Sequence, residues 1–265
     1  LYYGDEQAAP GTILTFFPWA GARPGRRGAG EASGTAFAIP PASLSWWLGR
    51  LAERGITHET PVKRFGETIV AFADPDGMTL ELVARESAAA MPGWSNGDVP
   101  EAHAIRGFAG ITLWSPRPDS TGAVLSVMGY DEQASENGVT RWTTGQPGLA
   151  TTIDIKDASA TGRFVSGAGT VHHVAYRAAS DAAQAAMVEA LTARGLHPTE
   201  QVDRNYFRSV YFREPGGTLF EIATDAPGFT VDEPLETLGE HLKLPAWLEP
   251  RRSEIEAALP SLKQG

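Results

Sequence analysis

The sequence predicts an α+β fold that is built from repeated βαβββ units. Residues 34–85 and 169–225 align with each other, and the alignment runs without a gap through the later part of each stretch. Identical residues coincide at four places: Arg54–Gly55 with Arg194–Gly195, Arg64 with Arg204, Pro75 with Pro215, and Glu81 with Glu221. In both stretches, segments with strand-like alternation surround one segment with helical spacing. Repetition of one supersecondary unit therefore defines the fold class.

The copy at residues 169–225, which we call the fourth unit, shows the order of elements most clearly. A strand begins near His172 and His173, and a helix is predicted over Ser180–Arg194. Two strands follow at 209–213 and 218–223, and the second carries Glu221 between apolar neighbours. A carboxylate among apolar residues needs a partner or a metal. Imidazole nitrogen and carboxylate oxygen suit a divalent metal with open positions, so the fourth unit is a candidate metal site.

The copy at residues 34–85, the second unit, is predicted to lack this site. Gly34–Thr35 matches Gly169–Thr170 if the helical segment is five residues shorter. In that alignment, Phe37 and Ala38 take the positions of the paired histidines. We therefore expect Glu81 to be a structural or solvent-exposed residue rather than a ligand.

Two further units are predicted from the remaining sequence. The third begins at Gly107, with strands at 109–114, 140–144 and 150–155 and a helix near 120–128. Residues 1–17 resemble the RWTTGQPGLATTIDI stretch of the third unit. They are interpreted as the end of a truncated first unit, whose first strand and helix are expected upstream of Leu1.

The units group into halves with connecting segments. We predict an N-terminal half at residues 1–88, a linker at 89–106, a C-terminal half at 107–225 and a wrapping C-terminal extension at 226–265. Helical spacing of Ile255, Leu259 and Leu262 predicts a helix in the extension. The Gly- and Arg-rich stretch Ala20–Ser33 is predicted to be a flexible surface loop.

Composition excludes several classes of protein and site. The net charge of −10 argues against nucleic acid as a partner. The absence of cysteine excludes disulfides, thiolate metal sites and cysteine nucleophiles. No apolar run approaches the ~20 residues that a membrane helix needs. We expect a soluble, cytoplasmic protein without membrane association, and self-association into a homo-oligomer stays open.

Three motifs in the second half of the chain identify a resemblance. The HHVAYR opening, the PGGTLFEIATD strand and the DEPLETLGEHLKLPAWLEPRRSEIEAALP tail are similar to those of the vicinal oxygen chelate superfamily. This superfamily includes glyoxalases, bleomycin-resistance proteins and extradiol dioxygenases. Within it, the chain resembles the hydroquinone ring-cleaving dioxygenases. The resemblance implies βαβββ units paired into cupped mixed sheets, an iron(II) cofactor, and a hydroquinone-like aromatic and dioxygen as substrates.

The resemblance also implies roles for individual residues. It places the metal on His173 and Glu221, with a third ligand, a histidine, expected upstream of Leu1. His172 would transfer a proton near the bound phenol, Arg204 would steady an anionic oxygen, and Tyr211 would hydrogen-bond the substrate or an iron-bound oxygen. Since neighbouring strand residues face opposite sides, His172 and His173 are not expected to bind one metal.

Three functions remain open at this point. The preferred one is an iron(II)-dependent, extradiol-type dioxygenase that acts on hydroquinones. A glyoxalase-type lyase or isomerase would use the same fold with another divalent metal. A metal-free protein of the bleomycin-resistance type would bind a small aromatic molecule without converting it. Metal content and dioxygen uptake distinguish the three.

Overall fold

The computed structural model describes residues 1–94, 97–145 and 150–259. The strands are β1 (Tyr2–Tyr3), β2 (Leu14–Thr15), β3 (Glu31–Ile39), β4 (Val62–Arg64), β5 (Glu67–Ala73), β6 (Thr79–Ala84), β7 (Phe108–Ser115), β8 (Asp131–Glu136), β9 (Val139–Thr143), β10 (Thr152–Asp157), β11 (Val174–Ala178), β12 (Val202–Asp203), β13 (Arg208–Arg213) and β14 (Leu219–Thr224). The α-helices are α1 (Leu44–Glu53), α2 (Pro118–Val127), α3 (Asp181–Thr192) and α4 (Arg252–Ala258). In the described part of the chain, no helix is both long and apolar enough to cross a membrane.

Among the described residues, the βαβββ order occurs three times, as β3–α1–β4–β5–β6, β7–α2–β8–β9–β10 and β11–α3–β12–β13–β14. In each unit the first strand pairs in parallel with the last, and the remaining pairs are antiparallel. Local chemistry sets the boundaries: Ser180 caps α3 by accepting a hydrogen bond from the Ala183 amide. The predicted α+β fold with mixed sheets is confirmed.

The second and third units share one eight-stranded sheet, in the order β4-β5-β6-β3-β7-β10-β9-β8. The antiparallel pair β3–β7 joins them, so the sheet connects strands from both sides of residues 89–106. The fourth unit forms a separate four-stranded sheet, and β1 pairs with β2. The division into halves, linker and extension stays a prediction, and Leu262 lies outside the described residues.

The largest core lies between the third and fourth units. Helices α2 and α3 contact each other there and cover one face of each sheet. Leu125 and Leu191 from these helices and Phe220 and Ile222 from β14 are fully buried. This core packs against β14 and so fixes the position of the strand that carries Glu221.

The expectation of a flexible surface loop at Ala20–Ser33 is wrong for its last six residues. Strand β3 begins at Glu31, and Gly28, Glu31 and Ser33 are buried. A Cβ atom on Gly28 would lie 2.1 Å from the carbonyl oxygen of Gly162. The glycines that suggested flexibility instead permit two backbone segments to cross in close contact.

The strand register corrects the alignment of the two copies. Ala36 pairs with Glu81, and Ala175 pairs with Glu221. Gly34 therefore corresponds to His173, and the assignment of Phe37 and Ala38 to the histidine positions is wrong. A Cβ atom on Gly34 would lie 3.4 Å from Glu81 Oε1, which places this position against the carboxylate. The second unit still lacks the histidines, as expected.

Candidate metal and substrate site

His173 and Glu221 come together at one end of the fourth unit. Strand β11 begins directly after His173 and runs parallel to β14, with Ala175 beside Glu221. His173 precedes Ala175 by two positions and therefore lies on the same face of the sheet. Its Nε2 atom is 2.7 Å from Glu221 Oε2. The Glu221 side chain is 3% exposed and that of His173 is 19% exposed.

The second oxygen of Glu221 is held by strand β13. Tyr211 lies directly opposite Glu221 in the antiparallel pair, and its hydroxyl donates to Oε1 at 2.9 Å. The buried Ser209 hydroxyl, on the same face, also donates to Oε1. Burial raises the pKa of Glu221, but the hydrogen bonds from His173, Ser209 and Tyr211 outweigh it, and the net pKa is lowered. Glu221 is thus kept ionised, with Oε2 facing the histidine.

His172 contacts His173 directly, with the two Nδ1 atoms 2.8 Å apart. Both residues precede the first residue of β11, where their rings lie side by side. The expectation that the two histidines do not bind one metal stays a prediction. Burial, together with the nearby charges of His173 and Arg213, lowers the pKa of His172. His172 is therefore neutral at pH values above its ordinary pKa of 6.5.

This contact links the tautomers of the two rings. If His173 binds a metal through Nε2, its proton lies on Nδ1 and is donated to Nδ1 of His172. A neutral His172 then carries its own proton on Nε2. That nitrogen can donate a hydrogen bond to an oxygen atom outside the pair.

Arg204 joins the site through Tyr211. Its Nε atom donates to the Tyr211 hydroxyl at 3.2 Å, and its guanidinium carbon lies 5.3 Å from the ring centroid. Burial and the carboxylate of Glu221 raise the pKa of Tyr211, although hydrogen bonds from Ser209 and Arg204 oppose this. The tyrosine therefore stays protonated and donates to Glu221.

Aromatic residues near the amino end form a wall that the sequence analysis missed. Phe17 and Trp19 stack with ring centroids 5.4 Å apart. Phe17 lies 5.5 Å from the His172 ring and 6.5 Å from the His173 ring. Burial and the charge of Glu221 raise the pKa of Tyr2. The run TFFPW was the available signal, but its contact with the fourth unit depends on the tertiary fold.

The corresponding place in the second unit contains an arginine cluster instead. Arg64 forms two hydrogen bonds to Glu81, at 3.3 and 2.6 Å, and its Nε lies 3.0 Å from Asp154. Arg141 binds Asp154 with two hydrogen bonds, at 2.8 and 2.9 Å, and also binds Glu67. Glu81 is only 8% exposed. The sequence analysis expected either a structural or a solvent-exposed residue, and Glu81 is the structural one.

The residues of the fourth unit fit part of a metal site. Imidazole nitrogen and carboxylate oxygen 2.7 Å apart can bind one ion at the ~2.1 Å bond lengths typical of such ligands. Glu221 keeps one oxygen available because Ser209 and Tyr211 both bind the other. Within residues 1–94, 97–145 and 150–259, no group of three or more potential ligands is found.

Several curated proteins are similar to this chain over nearly its whole length. MhqO of Bacillus subtilis, named as a ring-cleaving dioxygenase, is 44% identical over 98% of the chain and 82% of its own length. MhqE of the same organism, also so named, is 38% identical over 99% of the chain and 85% of its own length. The chlorohydroquinone/hydroquinone 1,2-dioxygenase of Sphingobium indicum is 34% identical over 96% of the chain and 81% of its own length.

Solved structures agree with these relatives. A crystal structure described as a dioxygenase from Bacillus subtilis matches with a TM-score of 0.90 and 42% identity, covering 99% of this chain and 84% of that one. Glyoxalase I from Zea mays matches with a TM-score of 0.56 and 15% identity, covering 83% and 74%, which shows a shared fold. No protein-family model matches the chain.

Proposed function

Because the chain belongs to the ring-cleaving dioxygenases of the vicinal oxygen chelate superfamily, we propose that it is an iron(II)-dependent, extradiol-type enzyme acting on hydroquinones. The observation that carries the metal assignment is the 2.7 Å approach of His173 Nε2 to Glu221 Oε2. The hydroquinone assignment comes from the named substrate of the Sphingobium indicum relative.

His173 and Glu221 would hold the iron. When bound, iron(II) supplies the redox chemistry that lets dioxygen react with an aromatic ring. Ser209 and Tyr211 keep Glu221 ionised and oriented for this task. Nδ1 of His172 accepts a hydrogen bond from the Nδ1–H of His173 and thereby fixes the tautomer in which Nε2 presents its lone pair.

The remaining residues would bind and orient the substrate. His172 donates a hydrogen bond from Nε2 to a ring oxygen, in the tautomer that metal binding requires. Arg204 is permanently charged and stabilises the negative charge on a phenolate oxygen. Phe17 and Trp19 present aromatic faces beside the histidines, against which a planar ring can stack.

The test is dioxygen consumption by the full-length protein after loading with iron(II). With hydroquinone, we expect uptake of dioxygen and entry of both atoms of isotopically labelled dioxygen into a ring-opened product. Conversion of a 2-oxoaldehyde–thiol adduct without dioxygen would instead assign a glyoxalase-type lyase. Binding of the aromatic without bound metal or turnover would assign a sequestering protein.

A pair of histidine variants provides the control. His173→Ala should abolish metal binding and turnover together. His103→Ala should preserve both, because His103 stacks on Trp46 at a ring distance of 4.8 Å and binds Ser43, outside the site. Equal activity of the two variants would overturn the assignment of the metal to His173.

A further inference from the structure

The equivalent arginines of the second and fourth units have different hydrogen-bond partners. Arg64 and Arg204 occupy matching positions, as do Glu81 and Glu221. In the second unit the arginine reaches the carboxylate, with Arg64 Nη2 only 2.6 Å from Glu81 Oε2. In the fourth unit Arg204 donates to Tyr211, and Tyr211 in turn donates to Glu221. The tyrosine hydroxyl thus lies between the guanidinium and the carboxylate.

The residue opposite the carboxylate explains this difference. In the second unit Ala71 pairs with Glu81 across β5 and β6. In the fourth unit Tyr211 pairs with Glu221 across β13 and β14. Alanine leaves open the path that the guanidinium takes to the carboxylate. Tyrosine fills this path and also holds the guanidinium over its ring, 5.3 Å from the centroid.

We propose that Tyr211 is a positioning residue that keeps Arg204 away from Glu221 and so preserves the carboxylate for a metal. Without the tyrosine side chain, Arg204 would form the ion pair that Arg64 forms with Glu81. The guanidinium would then compete with a divalent cation for the same carboxylate. This inference rests on the proposed function, and it concerns how the site remains able to bind metal rather than which substrate it converts.

The geometry of the second unit shows that a guanidinium can occupy the place next to the carboxylate that a metal ion would take. There the guanidinium of Arg64 lies beside both Glu81 and Asp154, so one cation already serves two carboxylates. Gly34 leaves the histidine position empty of side-chain atoms. The second unit is therefore an internal example of the state that the fourth unit would adopt if Arg204 reached Glu221.

The test measures dissociation constants for manganese(II) and cobalt(II) in four variants of the full-length protein. Tyr211→Phe removes the hydrogen bond from the tyrosine hydroxyl to Glu221 but keeps the ring. It should lower metal affinity about tenfold, as loss of a hydrogen bond to a metal ligand does. Tyr211→Ala removes the ring as well and should cost at least about tenfold more. Arg204→Gln added to Tyr211→Ala should restore affinity to the level of Tyr211→Phe. Arg204→Gln added to Tyr211→Phe should change little.

Recovery of metal affinity on adding Arg204→Gln to Tyr211→Ala would show that Tyr211 acts through Arg204, and does not only stabilise the local structure. Equal affinities of Tyr211→Ala and Tyr211→Phe, or no rescue by Arg204→Gln, would overturn it. Folding is checked by circular dichroism, and Tyr211→Ser serves as the second truncation if the alanine variant does not fold. If metal binds in all variants but dioxygen is never consumed, the proposed function fails while the positioning role stands.

Discussion

Tyr211 is paired with Glu221 on the neighbouring antiparallel strand, and its hydroxyl donates a hydrogen bond of 2.9 Å to the carboxylate. Three differences between the second and fourth units surround this contact. Gly34, Ile69 and Ala71 of the second unit correspond to His173, Ser209 and Tyr211 of the fourth. Each change adds a polar group that contacts Glu221. A shared framework thus becomes a candidate metal site through side chains on one face of the sheet.

The first prediction concerns the buried hydroxyl of Ser209. In Ser209→Ala, Glu221 loses one of the hydrogen bonds that lower its pKa, so the pKa should rise and a proton should compete better with metal. Metal affinity should fall about 10–100-fold, as for other residues that support a ligand. Isothermal titration with manganese(II) measures the change.

Ser43→Ala is the matched control for this substitution. Ser43 is also fully buried, and its hydroxyl donates to the Ala102 carbonyl at 2.9 Å, away from the fourth unit. It should lower stability without changing metal affinity. A similar loss of affinity in both variants would assign the Ser209 effect to general destabilisation.

The second prediction concerns the aromatic wall. Phe17→Ala and Trp19→Ala remove faces that lie beside His172, so the aromatic substrate should bind more weakly while metal affinity is kept. Loss of a stacking partner typically costs about 0.5–1.5 kcal/mol, which corresponds to a roughly 2-fold to 13-fold higher KM. Trp247→Ala is the control, since Trp247 is exposed as Trp19 is, but within the residues that the structure describes it has no ring contact with His172 or His173. Unchanged KM in both wall variants would remove these residues from the substrate site.

The third prediction is a pH dependence of stability that arises in the arginine cluster. Burial raises the pKa of Glu67, but hydrogen bonds and charge from Arg85 and Arg141 outweigh it and lower the pKa below 4.5. A lowered carboxyl pKa stabilises the fold above the unfolded value of 4.5, and this stabilisation is lost as the pH falls through the folded pKa. Glu67→Gln leaves the partner charges short of a counterion, and should cost about 3 kcal/mol at neutral pH.

Urea unfolding across the pH range tests this prediction. The difference between the wild type and Glu67→Gln should shrink as the pH falls from 4.5 through the lower folded pKa, because Glu67 is protonated first in the unfolded and then in the folded state. Glu254→Gln should change stability little, since Glu254 pairs with Arg251 at an exposed site. A difference that stays constant with pH would show that the carboxylate charge of Glu67 does not stabilise the fold.

Local patterns predicted much of the fold and the central pair of the site. The helical spacing of Ser180–Arg194 predicted α3, and alternation predicted β13 and β14 close to their observed bounds. Their places within one unit also suggested that His173 and Glu221 would meet. These features are properties of short segments and of a unit that is repeated.

Features that depend on pairing between distant segments were not predictable in the same way. The register of β3 was assigned wrongly because a different length of helical connection could absorb the error, whereas backbone pairing fixes Ala36 opposite Glu81. The contact between His172 and His173 depends on where β11 begins. The approach of Phe17 to the histidines joins segments far apart in sequence, and no local pattern encodes it.

The most direct test counts metal ions in matched variants of the two repeated carboxylates, Glu221→Gln and Glu81→Gln, beside the wild type. Elemental analysis of the iron-loaded, folded full-length proteins gives the number of ions per chain. We predict one ion per chain in the wild type, almost none in Glu221→Gln and one in Glu81→Gln, because Arg64 rather than a metal binds Glu81. Full metal content in Glu221→Gln, or loss of metal in Glu81→Gln with the fold intact, would contradict a single metal site in the fourth unit.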